Sequence, residues 1–241
     1  MAALPRLLSG CDRFIDVGAN IGLYVFYANR VLHDAEIVAV EANPSLRTVL
    51  EESWQSALTD PGHGNRLTIE SCAVLDQPGS IDFFVTPNLD DSSVFSGRVA
   101  GASPTTVIGR PLDSFYKPSR KTFIKMDIEG AEYRVLSTAR RFLSSMHTEF
   151  LLELHPWGEA AIKKYPLNVC NLFFRNGFAC KRVYHHHHFF RAGLVSRTFL
   201  YLLILPNLLL TWFPHRFPGR MGRAVASLHA LLARMRRSFF P

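Results

Sequence analysis

The stretch RFIDVGANIGLYVFYANRVLHDAEIVAVEANP (residues 13–44) decides the fold. RFIDVG is a short apolar run ending in an acid and a glycine, the pattern of a buried strand. IGLYVFYANRVLH (21–33) places apolar residues at helical spacing, and EIVAVE (36–41) is a second buried strand. Pro44 suits the first turn of a further helix running to about Ala57. The same alternation continues outward. RLTIESCAVL (66–75) and SIDFFVT (80–86) read as strands around the turn DQPG, and residues 87–107, rich in Asp, Ser, Gly and Pro, as a long loop. TFIKMDI (122–128) and EFLLELH (149–155) read as strands flanking a helix over 131–146; a helix near 158–175 and a strand near 178–184 follow. Strands alternating with helices imply an α/β, doubly wound, mainly parallel sheet, with ligands bound beyond the carboxyl ends of its strands.

Charge divides the chain. The net charge is +7, yet residues 1–159 carry all 20 acidic residues against 14 Lys/Arg, whereas residues 160–241 carry 13 Lys/Arg and no acid. A near-neutral body (1–190) joined to a basic appendage (191–241) that meets something anionic is the expectation. The four cysteines, Cys11, Cys72, Cys170 and Cys180, have no CxxC or zinc-like spacing and read as free thiols. The opening MAALPRLLSG reads as no secretory signal.

In DVGANIG, Gly18 lets the backbone approach a ligand, Asn20 tolerates positive φ, and Gly22 opens the helix. Glu41, ending the second strand, is placed to accept hydrogen bonds from both ribose hydroxyls of an adenosine-containing ligand. The dinucleotide fingerprint wants GxGxxG; the GxxxG spacing and the leading Asp16 point instead to a nucleoside without a pyrophosphate. Asp16 would bond the ligand's ammonium or the loop amides. A tight strand-to-helix turn with a solvated Glu41 is the alternative.

DVGANIGLY, VAVEANP, KMDIEGAE (125–132) and LELHP, in that order, resemble the FkbM-type methyltransferase family from about Arg13 to His155, more weakly to Tyr184. The resemblance implies a class I, Rossmann-like, seven-stranded sheet and S-adenosylmethionine as cofactor. It further implies O-methylation of a sugar, glycolipid or related hydroxyl. Asp16, Gly18, Asn20, Gly22, Glu41, Asn43 and Asp127 form the expected cofactor set. Asp127, Glu129, Glu153 and His155 are the candidates for removing the hydroxyl proton. His155 has the pKa suited to a base near neutrality, or is a core or capping histidine. One of Glu129 and Glu132 is expected to serve only the helix dipole. A divalent ion on Asp127 and Glu153 lacks a third ligand, so no metal is assigned. DDSSVF (90–95), with Asp90, Ser92 and Ser93, covers the site or is an exposed turn. A nicotinamide-linked oxidoreductase and a catalytically silent, membrane-tethered nucleoside-binding module are the competing readings.

HHHH (185–188) cannot face one ion from a strand, because neighbours alternate sides, and reads as a partly protonated approach to a membrane. Beyond Arg197, TFLYLLILPNLLLTWFP has 17 uncharged residues, short of a span and interrupted by Pro206-Asn207. RMGRAVASLHALLARMRRSFF (220–240) reads as a basic amphipathic helix. Residues 194–241 are therefore expected to bind an anionic membrane surface, on a cytoplasmic protein that is peripheral to the membrane or anchored in it by this segment; no nucleic acid is expected. Packing of 198–213 as a core helix or partner interface is the alternative.

Overall fold

The computed structural model describes residues 4–57, 63–86, 94, 102–155 and 167–216. The strands are β1 (Arg13–Val17), β2 (Glu36–Glu41), β3 (Arg66–Ser71), β4 (Ala73–Leu75), β5 (Gly79–Val85), β6 (Ser103–Pro111), β7 (Thr122–Met126), β8 (Thr148–Glu153), β9 (Phe178–Val183) and β10 (His186–Arg191). The helices are α1 (Leu4–Leu8), α2 (Leu23–Val31), α3 (Pro44–Ala57), α4 (Glu132–Leu136), α5 (Arg140–Ser144), α6 (Leu167–Arg175) and α7 (Leu194–Arg216). Seven strands form one sheet in the order β3-β2-β1-β7-β8-β10-β9. All its pairings are parallel except those of β10, which is antiparallel to both β8 and β9. β4, β6 and β5 make a second, three-stranded sheet.

Central strands buried on both faces explain the near-continuous apolar runs. Successive side chains point to opposite faces. Ile15, Val17, Ile124 and Met126 pack under α4 and α6, with Phe142, Phe150 and Phe173. Phe14 and Phe123 pack on the other face with Val25, Ala28 and Leu50 of α2 and α3. Asp16 and Lys125 share that second face with Phe14 and Phe123.

Several elements differ from the expected ones. The run 66–75 breaks at Cys72, where the chain leaves the large sheet for the small one. Ser103–Val107, expected in a loop, opens β6; with only Val107 and Gly109 buried, the strand has no alternating apolar signal, and β5 fixes it through the Phe83↔Thr105 and Ile81↔Val107 register. Helix 131–146 is two helices. Ser137 and Thr138 bond their hydroxyls to the carbonyls of Arg134 and Val135, and Asp113 receives the Arg141 and Phe142 amides at the start of α5. α7 continues through Pro206 instead of stopping there. All four cysteines are buried free thiols. DDSSVF, apart from Val94, and the helix at 220–240 lie outside the described residues, as does the beginning of the helix expected from 158.

Candidate active site

The carboxyl ends of β1, β2 and β7 meet at a cavity of about 270 Å³. The β1–α2 turn forms one wall. Gly18 donates to Val40 O, and Asn20, in the left-handed region at φ 50°, aims its amide at Glu41 Oε2 (2.8 Å). The Asn43 amide holds Glu41 Oε1 at 2.7 Å. Glu41 is thus clamped with its carboxylate at the cavity. Burial raises its pKa, against the lowering effect of the Asn43 and Asn20 amides. The carboxylate has more lone pairs than the Asn43, Asn20 and Ala42 amides occupy, which leaves acceptor capacity for a ribose hydroxyl. Cys72, Val74, Phe83 and Val94 build an apolar wall beyond Glu41, suited to a planar base.

The expected cofactor set divides. Gly18, Asn20, Glu41 and Asp127 line the cavity; Asp16, Gly22 and Asn43 do not. Gly22 is glycine because a Cβ there would meet Leu50 Cδ2 at 2.6 Å and Phe26 Cε2 at 2.7 Å. Asn43 caps α3, its Oδ1 accepting from Ser45 N at 3.1 Å. Asp16 is fully buried below the turn, with its Oδ1 3.4 Å from Lys125 Nζ. Burial pushes its carboxyl up to about 6 despite the lysine.

Lys125 escaped the sequence reading. Its ammonium lies 3.3 Å from Gly18 O, 3.8 Å from Asp127 Oδ2 and 4.9 Å from the centre of the Tyr24 ring. Burial disfavours that charge, but Asp16 and Asp127 more than offset it and raise the pKa. The signal was available: an acid and a lysine stand at the same offset in two otherwise apolar strands, and β1 and β7 place Asp16 opposite Lys125.

His155, just past β8, sits among the three acids of KMDIEGAE. Its Nδ1 is 3.2 Å from Glu132 Oε1, and its Nε2 is 3.6 Å from both Asp127 Oδ1 and Glu129 Oε2. Burial works against protonation of His155, but the hydrogen bond and charge of Glu132, then Glu129 and Asp127, raise its pKa overall. Asp127, Glu132 and His155 offer ligand atoms within 4.8 Å of one another. Glu132 Oε1 already faces the Ile128 and Gly130 amides, both at 3.2 Å, besides His155. That arrangement is a hydrogen-bonded cluster, and Glu132 does more than complement a helix dipole.

Glu153 points the other way, its Oε2 3.5 Å from His186 Nε2, which in turn is 3.2 Å from Tyr24 Oη. The histidine run is therefore sheet, not a membrane approach: His186–His188 lie in β10 between β8 and β9. Burial pushes His186 and His187 down to about 4, so both are neutral near pH 7. His188 Nε2 is 2.7 Å from Glu149.

Strand order, one antiparallel strand next to the edge and a clamped acid at the tip of β2 define a class I methyltransferase. More narrowly, residues 16–180 match the Methyltransferase FkbM domain, and the chain belongs to that family. Its cofactor is S-adenosylmethionine, and the clamped Glu41 and apolar wall fit that molecule's nucleoside. The fold is similar to a precorrin-6y C5,15-methyltransferase from Geobacter metallireducens GS-15 (14% identity, 79% of this chain and 87% of that one, TM-score 0.42). It is also similar to a ribosomal protein L11 methylase from Lactobacillus delbrueckii subsp. bulgaricus (9%, 78% and 73%, 0.40). A third similar structure is a SAM-dependent methyltransferase from Aquifex aeolicus (12%, 73% and 79%, 0.36). No curated protein matches the chain.

Proposed function

We propose that the protein transfers the methyl group of S-adenosylmethionine to a hydroxyl of a sugar or glycolipid. The observation that carries this reading is the cluster of proton acceptors at the cavity's edge: Asp127 and Glu129 line it, and His155 lies 3.6 Å from each. A hydroxyl, unlike a thioether or a neutral amine, needs such a group to take its proton during attack. Bound at Glu41, the cofactor supplies a methyl already activated on a sulfonium. The chain's part is to orient the acceptor oxygen and receive its proton. Glu41 fixes the ribose, Lys125 and Asp16 hold the tip of β7 in place, and the acidic wall favours a cationic ligand.

The test is incubation of the full chain with native lipid and sugar extracts and the deuterated-methyl cofactor. Label on a carbohydrate or glycolipid oxygen is expected; label on nitrogen or carbon, or on no acceptor, overturns the reading. Glu41→Ala should raise the cofactor Kd roughly ten- to hundredfold, ~1–3 kcal/mol, by removing a charged acceptor; calorimetry reads this, and an unchanged Kd removes the ribose role.

We place the acceptor at an anionic membrane surface. Among the described residues no helix is long and apolar enough to cross a membrane. α7 instead docks one face on the body, through Ile204 in the core, Tyr201 bonded to Asn171, and Arg197 over the Phe174 ring. Its other face leaves Val195, Phe199 and Leu202 exposed, Val195 at 84%. These contacts run α7 antiparallel to α6, hence toward the carboxyl ends of the strands, where the cavity lies. The acid-free, arginine-rich sequence that follows suits anionic headgroups. Full-length protein should sediment with phosphatidylglycerol vesicles and not with phosphatidylcholine ones, and Phe199→Asp/Leu202→Asp should weaken that binding at least about fivefold. Failure to sediment with either vesicle would sink the placement.

A further inference from the structure

Glu132 is the one acid of KMDIEGAE that does not line the cavity, and it is 0% exposed. Burying a carboxylate is costly unless donors surround it. Here the donors are the amides of Ile128 and Gly130, bracketing Glu129, whose φ of 56° is left-handed. The third is His155 Nδ1. An ionised carboxylate only accepts, so Nδ1 carries the hydrogen and the lone pair of neutral His155 is on Nε2. Nε2 in turn points to the wall formed by Asp127 and Glu129.

The geometry points to Glu132 and His155 as a dyad behind the cavity wall, in which His155 Nε2 receives the acceptor's hydroxyl proton by way of Asp127 or Glu129, 3.6 Å away and lining the cavity, and Glu132 is the positioning residue that fixes its tautomer and stabilises the imidazolium. The inference rests on methyl transfer to a hydroxyl. The acceptor oxygen forms its bond to the methyl carbon, the carbon–sulfur pair stays on sulfur, and the proton passes through the Asp127 or Glu129 carboxylate to Nε2 and then to solvent. Glu132 also holds the left-handed turn that presents Glu129, so one buried acid sets both the base and the wall beside it. Among the described residues the acids facing His155 are Asp127, Glu129 and Glu132 from the turn after β7, with Glu153, directed at His186, and Lys125, behind Asp127, at longer range. Their net negative charge keeps the imidazole a stronger base than a free one, so the dyad is active above the His155 midpoint and silenced by acid.

The test uses the full chain in EDTA. Nitrogen-15 spectra of the wild-type imidazoles should show His155 as the Nδ1–H tautomer, with a titration midpoint above the ordinary histidine value. Glu132→Gln keeps the shape and an acceptor oxygen but removes the charge. It should lower that midpoint, move the acid limb of methyl incorporation into the native extracts to lower pH, and cut incorporation by about tenfold or more, with the cofactor Kd within about twofold. An Nε2–H tautomer in the wild type, or a midpoint unmoved in the variant, overturns the dyad. Recovery of activity on adding Mg²⁺ or Mn²⁺ after EDTA has abolished it also overturns it, by making the three residues ligands. The tautomer is read on wild type, so a variant that fails to fold leaves that arm decisive. Loss of cofactor binding in the wild type would instead indict the reading of the cofactor site.

Discussion

Lys125→Met should cost about 3–5 kcal/mol of stability, because it strands Asp16 as an uncompensated buried charge. Lys125 and Asp16 are both buried, 3.4 Å apart, on neighbouring strands at the centre of the sheet. Methionine matches the length of the lysine stem, so packing beneath Tyr24 survives and the effect reports charge. The effect should depend on pH in a defined sense. The Asp16 carboxyl is pushed up to about 6 from 3.8, so its contribution to stability is fully present below the lower value and lost as pH rises through the higher one. Without Lys125 the folded value climbs further. The loss measured by urea denaturation should therefore be larger at about pH 8 than at about pH 5, where Asp16 binds a proton. Asp16→Asn/Lys125→Met should recover most of the loss, since a buried pair replaced as a unit is often tolerated. A loss under about 1 kcal/mol, or one that grows on acidification, would show that Asp16 is not ionised in the native protein.

How far the sequence could be read tracks how local its signals are. β2 and α3 lie where expected because an apolar run and a proline at the first helical turn are decided within a few residues. β10 was hidden because its evidence is not local. HHHHFF reads as polar, yet burial keeps His186 and His187 neutral, with Glu153 opposite His186 across the ladder and Glu149 bonded to His188. β6 was hidden because a strand of Ser, Pro, Thr and Gly is fixed by its partner and not by its own pattern.

The site shows the same division. Glu41 was legible because its role depends on where a strand ends. Lys125 in β7 and Glu132 at the start of α4 were harder to read, because a buried charge acquires meaning only from the residue facing it. Alternation along β1 turns Asp16 to the face carrying Phe14, where Lys125 lies opposite it, a partnership that the glycine turn beside it does not signal. His155 is one of four candidate bases in the sequence; its distances to Glu132, Asp127 and Glu129 are not readable there.

Gly18→Ala should destabilise the protein by about 2–5 kcal/mol and weaken the cofactor with it. The sequence suggested that glycine here admits a ligand; the stronger constraint is the protein itself. At φ +77° a Cβ would lie 2.0 Å from the Asp127 carbonyl oxygen. Left-handed backbone costs an alanine ~1–2 kcal/mol, and forcing atoms into a packed site adds typically ~1–3 kcal/mol. Relief by a side-chain rotation is closed, because the obstacle is backbone, tied down by the Asp127 amide to Val17 O at 3.0 Å. What yields must be the tip of β7 or the β1–α2 turn, and either shift moves Asp127 or the Asn20 amide that clamps Glu41. Stability should therefore fall and the cofactor Kd rise together, which urea denaturation and calorimetry on the same samples would show. Gly193→Ala, with nothing within 4 Å of its Cβ, should stay within about 0.5 kcal/mol of wild type. A Gly18→Ala protein of wild-type stability would mean that β1 and β7 do not meet as tightly as the parallel register requires, and the acid wall beside the cavity would lose its anchor.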